Sequence, residues 1–129
     1  MEDIVIISGK RTPFGAFGGS FKNLSPTDLG VAASRGAIAQ AGVSAEKIDH
    51  VVFGNVVQST SDSIYSPRHI GLKSGLLVGA GALGLNRLCG SGFQAIVTAG
   101  QMIQTGEAQL VLAGGTESMS TIPYIVRGA

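Results

Sequence analysis

Cysteine occurs once in these 129 residues and histidine twice. One thiol cannot close an internal disulfide, and with only two isolated histidines beside it no metal site is expected. Charge is scarce too: charged residues make up 13% of the chain, against 44% apolar. The net charge is +1, with lysines and arginines scattered singly, so no nucleic-acid footprint is present. No run reaches the roughly 18 apolar residues a membrane span needs. The longest candidate, Gly75 to Leu85, is broken by four glycines. Repeats, low-complexity tracts and linkers are missing as well. The opening Met1-Glu2-Asp3 is acidic, which argues against a signal or transit peptide. A cytoplasmic location is the default expectation, with the mitochondrial matrix as the alternative.

The chain is long enough for one domain with a real core. Its apolar bias beside so little surface charge points to a face that packs against another body. Ile4-Val5-Ile6-Ile7-Ser8, ended by Gly9, reads as a buried strand. A glycine-rich loop follows, from Arg11 to Phe21. Ser25-Pro26-Thr27-Asp28 then combines a favoured N-cap, a proline at the first helical position and an acid in the first turn. The helix it predicts runs to Gly42, with Leu29, Ala32, Ala33, Ile38 and Ala41 at helical spacing. Val51-Val52-Phe53 predicts a second strand, Pro67 to Ser74 a short helix, and Leu83 to Leu85 a short strand. Beyond Cys89 a longer helix is expected, with Phe93, Ile96, Val97, Met102 and Ile103 inward and Gly106 at its end. Leu110-Val111-Leu112-Ala113 predicts a last buried strand, and Gly114-Gly115 a turn. This alternation predicts an α/β layered fold with a mostly parallel sheet flanked by helices.

The stretch Asn86-Arg87-Leu88-Cys89-Gly90-Ser91-Gly92 is the richest in chemistry. It places a thiol where a strand ends and a helix begins. Unpaired backbone N–H groups and the positive end of the helix dipole favour an anion there, the form in which a thiol attacks. Glycines at 90 and 92 let a bulky thioester approach the backbone. The Cys89 N–H is itself positioned to donate to an oxyanion. A buried structural cysteine is the competing reading. Ser91 is a rival nucleophile, although Cys-Gly-Ser-Gly lacks the strained elbow of the serine hydrolases.

Gly79-Ala80-Gly81-Ala82-Leu83-Gly84 fits the dinucleotide fingerprint by letter. That fingerprint needs a helix opening at its third glycine, whereas Gly84 leads into an apolar, strand-like segment. His50 and His69 are candidate bases, read first as surface histidines. Arg68 and Lys73 are candidate partners for a phosphate, read first as a solvated face.

The Asn86 to Gly92 stretch resembles the nucleophile signature of thiolases. Arg11-Thr12-Pro13-Phe14-Gly15, Gly54-Asn55-Val56 and Gly114-Gly115-Thr116-Glu117-Ser118-Met119-Ser120 match the same family in the same order. The resemblance covers essentially the whole chain. Ser61-Asp62-Ser63-Ile64-Tyr65 and Arg68-His69 look most like the mitochondrial type of 3-ketoacyl-CoA thiolase and its bacterial relatives.

The resemblance implies one half of a duplicated α/β core. Residues 1–129 would be the N-terminal thiolase domain, with a loop domain starting near residue 120. That loop domain and the C-terminal domain would then be absent from this chain. It implies an acyltransferase in which Cys89 takes the acyl group of a 3-ketoacyl-CoA, releasing acetyl-CoA, before coenzyme A accepts it. The reverse steps condense two acyl-CoAs. Coenzyme A and acyl-CoA are substrates here, no cofactor is implied, and most of the coenzyme A site belongs to the absent portion. The Cys89 N–H would form half of an oxyanion hole. A Gly-His-Pro histidine and a Cys-x-Gly cysteine, both lacking here, would complete the chemistry, so this portion alone is expected to be inactive. Homodimers or tetramers pairing near Leu83 to Leu88 are implied as well. The rival readings are a ketoacyl-synthase-like condensing enzyme and a non-catalytic assembly subunit. The Thr116 to Ser120 run favours thiolase.

Overall fold

The computed structural model describes residues 3–128. Met1, Glu2 and Ala129 lie outside them, so the expectation built on the acidic opening is not addressed. Among the described residues three α-helices and three strands follow one another as α1 (Pro26–Ala41), β1 (His50–Gly54), α2 (Ser66–Lys73), β2 (Gly81–Leu85), α3 (Ser91–Gln104) and β3 (Val111–Gly115). The sheet is parallel throughout, in the order β2-β1-β3. The layered α/β architecture expected from the alternation is what the chain adopts.

Local chemistry explains the element ends. Ser25 accepts from the Asp28 N–H at 3.0 Å, while the Asp28 carboxylate accepts from the Ser25 N–H at 3.1 Å, closing a capping box at the start of α1. Gly42 ends that helix in the left-handed region at φ 68°. The central strand β1 is buried from Val51 to Gly54 because both of its faces are covered. Val51 and Phe53 pack with Ile48, Ile70 and Leu76, against which Val31 and Ile38 of α1 also lie. On the opposite face Val52 packs with Ala95 and Met102 of α3 and with Ala108. Helices therefore cover both sides of the sheet.

Several expectations are corrected. Ile4 to Ser8 forms no strand, and Val5, Ile6 and Ile7 are exposed. At its end Ser8 Oγ donates to the Ala37 carbonyl of α1 at 2.7 Å. An apolar, β-branched run needs a ladder to join. Among the described residues the sheet has three strands, none of which pairs with this segment. On α3 the buried face is Ser91, Ala95, Ala99 and Met102, with Ile103 half-buried, while Phe93, Ile96 and Val97 point outward. Small alanines allow close approach to the sheet, and the large apolar residues are left on the uncovered side. On α1 the buried positions are Pro26, Thr27, Gly30 and Ser34, and Ala32 faces outward. A Cβ at Gly30 would collide with the Ile70 side chain, so α1 and α2 pack through this glycine. Gly114 and Gly115 belong to β3 rather than to a turn, because both pair with β1.

Candidate functional site

The chain passes from β1 through α2 to β2 on one side. It then crosses back through α3 to β3 on the other. The winding direction reverses between β1 and β3, and in open α/β sheets ligands bind beyond the carboxyl ends of the strands at such a reversal. A cavity of about 820 Å³ opens at this place. It is lined by residues of all four matching motifs: Arg11 to Phe14, Gly54 to Val56, Cys89 with Ser91 and Gly92, and Gly115 to Glu117 with Met119. Segments more than 100 residues apart in the chain thus converge on one opening.

Cys89 is exposed, and it immediately precedes Gly90, the N-cap of α3. It stands neither in mid-strand nor in mid-helix. Gly90 supplies no side-chain cap; its own N–H donates to the Arg87 carbonyl at 3.1 Å and that of Ser91 to the Leu88 carbonyl at 3.0 Å, while Gly92, the second helical residue, lines the cavity. Leu88, the residue before the thiol, has φ 49°, the one non-glycine positive φ among the described residues. A left-handed leucine costs about 1–2 kcal/mol, which the surrounding hydrogen bonds must outweigh.

Those bonds are present. Ser91 Oγ donates to the Leu88 carbonyl at 2.6 Å and accepts from the Arg87 N–H at 2.8 Å. Ser91 is therefore buried and fully engaged in the turn, which removes it as a rival nucleophile. Asn86 Oδ1 accepts from the Leu88 N–H at 2.9 Å, and Asn86 Nδ2 donates to the Val56 carbonyl at 3.2 Å. Glu117 reaches from the loop after β3 to the loop after β1. Its carboxylate accepts from the N–H groups of Val56 (2.9 Å) and Val57 (3.2 Å) and from Asn55 Nδ2 (2.9 Å).

Neither histidine reaches this cavity. His50 begins β1, at the end of the strand remote from the cavity and roughly 13 Å from Gly54. Its ring lies over Gly81, where a Cβ would collide with it. His69 pairs with Asp62 at 3.1 Å. Asp62 also accepts from Thr60 Oγ1 (2.7 Å) and Thr27 Oγ1 (3.0 Å). The Thr60 hydroxyl, aided by His69 and Thr27, holds the Asp62 carboxyl down at about 2. This cluster ties α1 to α2. Arg68 is likewise committed, donating to the Ala80 and Val78 carbonyls at 2.6 Å each. Lys73 does not line the cavity, whereas Arg11, which opens the first matching motif, and its neighbour Lys10 do. Gly81 and Gly84 of the apparent dinucleotide fingerprint sit inside β2, so its third glycine opens no helix. No cluster of metal-ligating side chains occurs among the described residues.

Comparison with known proteins agrees with this geometry. The family described as thiolase, N-terminal domain, matches residues 4–129. Human mitochondrial 3-ketoacyl-CoA thiolase is 50% identical over 127 residues, covering 98% of this chain and 32% of the relative. The beta-ketothiolase BktB of Cupriavidus necator is 46% identical over 128 residues, 99% of this chain and 32% of that protein. The crystal structure of the human mitochondrial enzyme in complex with CoA superposes with a TM-score of 0.93 at 52% identity, over 95% of this chain and 31% of that one. The chain thus spans about a third of the length of the relatives it matches. With a family match along nearly its whole length, and the four motifs gathered at one cavity, this chain belongs to the thiolase family.

Proposed function

We propose that this chain supplies the nucleophilic half of a thiolase active site, with Cys89 as the acyl carrier. In the degradative direction the Cys89 thiolate attacks the 3-keto carbon of a 3-ketoacyl-CoA. The bond between carbons 2 and 3 breaks, and its electron pair leaves on carbon 2, which takes a proton to give acetyl-CoA. The acyl group remains on Cys89 until the coenzyme A thiolate displaces it as a shortened acyl-CoA. The same steps in reverse condense two acyl-CoAs.

The observation that carries this reading is the exposed Cys89 at the uncapped start of α3, on a cavity that the four motifs share. Glycines at 90, 92 and 115 bring no side chain of their own to this part of the cavity. The Cys89 N–H is assigned half of the oxyanion hole.

The ionisable groups lining the cavity are Lys10, Arg11, Cys89 and Glu117, and the Glu117 carboxylate is occupied by its three donors. Proton transfer at carbon 2 needs a group in reach of the substrate. In this proposal that group, the base for the thiol and most of the coenzyme A site come from a further two-thirds of polypeptide. Residues 1–129 are then the N-terminal domain, with a loop domain starting near residue 120. The outward side of α3 and the exposed 4–7 segment would receive the remaining domains. The outer edge of β2 would join a second copy in a homodimer or tetramer. The chemistry serves fatty-acid breakdown in either the cytoplasm or the mitochondrial matrix.

Acetylation tests the assignment directly. On incubation with acetyl-CoA or a more reactive acetyl thioester, mass spectrometry of the digested chain should find one acetyl group, on Cys89. Acetyl groups spread over lysines, with Cys89 unmodified, would contradict it.

A further inference from the structure

The strained turn before Cys89 is held from a distance. Glu117, on the loop after β3, binds the Val56 and Val57 N–H groups and the Asn55 amide. The Val56 carbonyl then accepts from Asn86 Nδ2, and Asn86 Oδ1 accepts from the N–H of Leu88, whose φ is 49°. A continuous path of hydrogen bonds thus runs from the end of one strand, through the loop of its neighbour, to the residue before the thiol. We infer that Glu117 and Asn86 are positioning residues that hold Leu88 in its left-handed conformation and so aim Cys89 into the cavity. This rests on the proposed role of Cys89 as nucleophile.

The chemistry of the two side chains supports the assignment. A carboxylate only accepts, and here it meets three N–H groups that only donate. A glutamine at 117 would turn one of its two positions into a donor facing donors. Asn86 uses both ends of its amide, donating with one and accepting with the other, so alanine cuts the path there. Leu88 itself is exposed, so its conformation is not fixed by packing in a core. Hydrogen bonds to its neighbours must fix it, and glycine there would need no such help.

The test uses the 129-residue chain with Glu117→Gln, Asn86→Ala and each combined with Leu88→Gly, all compared for thermal unfolding. The first readout is the NMR cross-relaxation between the Leu88 amide and α protons, strong at positive φ and weak at negative φ. Both single variants should weaken it. A signal unchanged in both overturns the inference, whatever Cys89 does chemically. The second readout is the rate of Cys89 acetylation by a reactive thioester. Each single variant should slow it by about tenfold. In the Leu88→Gly background the same changes should cost less than about twofold, because glycine adopts this conformation without support. Equal losses in both backgrounds would mark Glu117 and Asn86 as general loop supports and overturn the positioning role. If Cys89 is not acetylated in the unaltered chain while the Leu88 signal responds as expected, the nucleophile assignment fails and the conformational inference stands.

Discussion

Gly54 ends β1 directly against Ser91, the first residue of α3: a Cβ on Gly54 would lie 2.6 Å from the Ser91 carbonyl carbon and 2.6 Å from its Cβ. This approach sets the start of α3, and therefore Cys89, against the carboxyl end of the central strand. Gly115 approaches Gly92 similarly, with a built Cβ 3.2 Å from the Gly92 Cα. Two glycines at adjacent strand ends thus bring the helix terminus to the point where the winding reverses.

Gly54→Ala should accordingly destabilise the chain by about 1–3 kcal/mol, the range for forcing a methyl group into a packed site. Urea unfolding of both proteins measures this. The loss should exceed that of Gly79→Ala, where a Cβ meets nothing within 4 Å. Equal midpoints for the two variants would show that Gly54 is not a close-contact position.

Acid should weaken the tie between α1 and α2. The Asp62 carboxyl titrates at about 2 in the folded chain, below its ordinary 3.8, chiefly because of the Thr60 hydroxyl. A depressed carboxyl stabilises the folded state above its unfolded value and loses that contribution as pH falls through the folded one. Asp62→Asn should therefore cost about 1–2 kcal/mol at pH 7 and much less near pH 2. Asp28 and Asp49 are lowered too, by Ser25 and by the Leu110 and Gln109 N–H groups respectively, so the variant retains part of its acid sensitivity. Thermal unfolding from pH 2 to pH 7 checks this. A gap between the two proteins that stays constant with pH would contradict it.

Much of this could be read before the fold was known. Ser25-Pro26-Thr27-Asp28 and Gly42 delimit α1 to the residue, since caps are local chemistry. Cys89 fell at a strand-to-helix turn for the same reason. The failures concern what covers each element. Ile4 to Ile7 and the Phe93, Ile96 and Val97 face of α3 are apolar in a pattern that predicts burial, yet they are exposed on this chain. Periodicity records that a surface needs covering, not which polypeptide covers it. The Glu117 role was hidden because its three donors come from residues about 60 positions earlier.

Cys89 is exposed at the cavity, so iodoacetamide should label it in the folded chain without prior unfolding. Mass spectrometry of the digested chain, labelled with and without urea, checks this. Labelling that needs urea would contradict the exposed placement of the thiol.

In the proposed reading this chain contributes the nucleophile to a site whose acid–base groups lie on further polypeptide. Human mitochondrial 3-ketoacyl-CoA thiolase offers the measurement, because the two superpose closely over the shared third. Replacing that third of the human enzyme with residues 4–128 of this chain gives a chimera to assay for thiolysis of acetoacetyl-CoA. The chimera should turn over, and Cys89→Ala should abolish that turnover. The isolated chain should stay near background, since each missing acid or base typically costs about a hundred- to ten-thousand-fold. Full turnover by the isolated chain, or by the Cys89→Ala chimera, would overturn this division of the site.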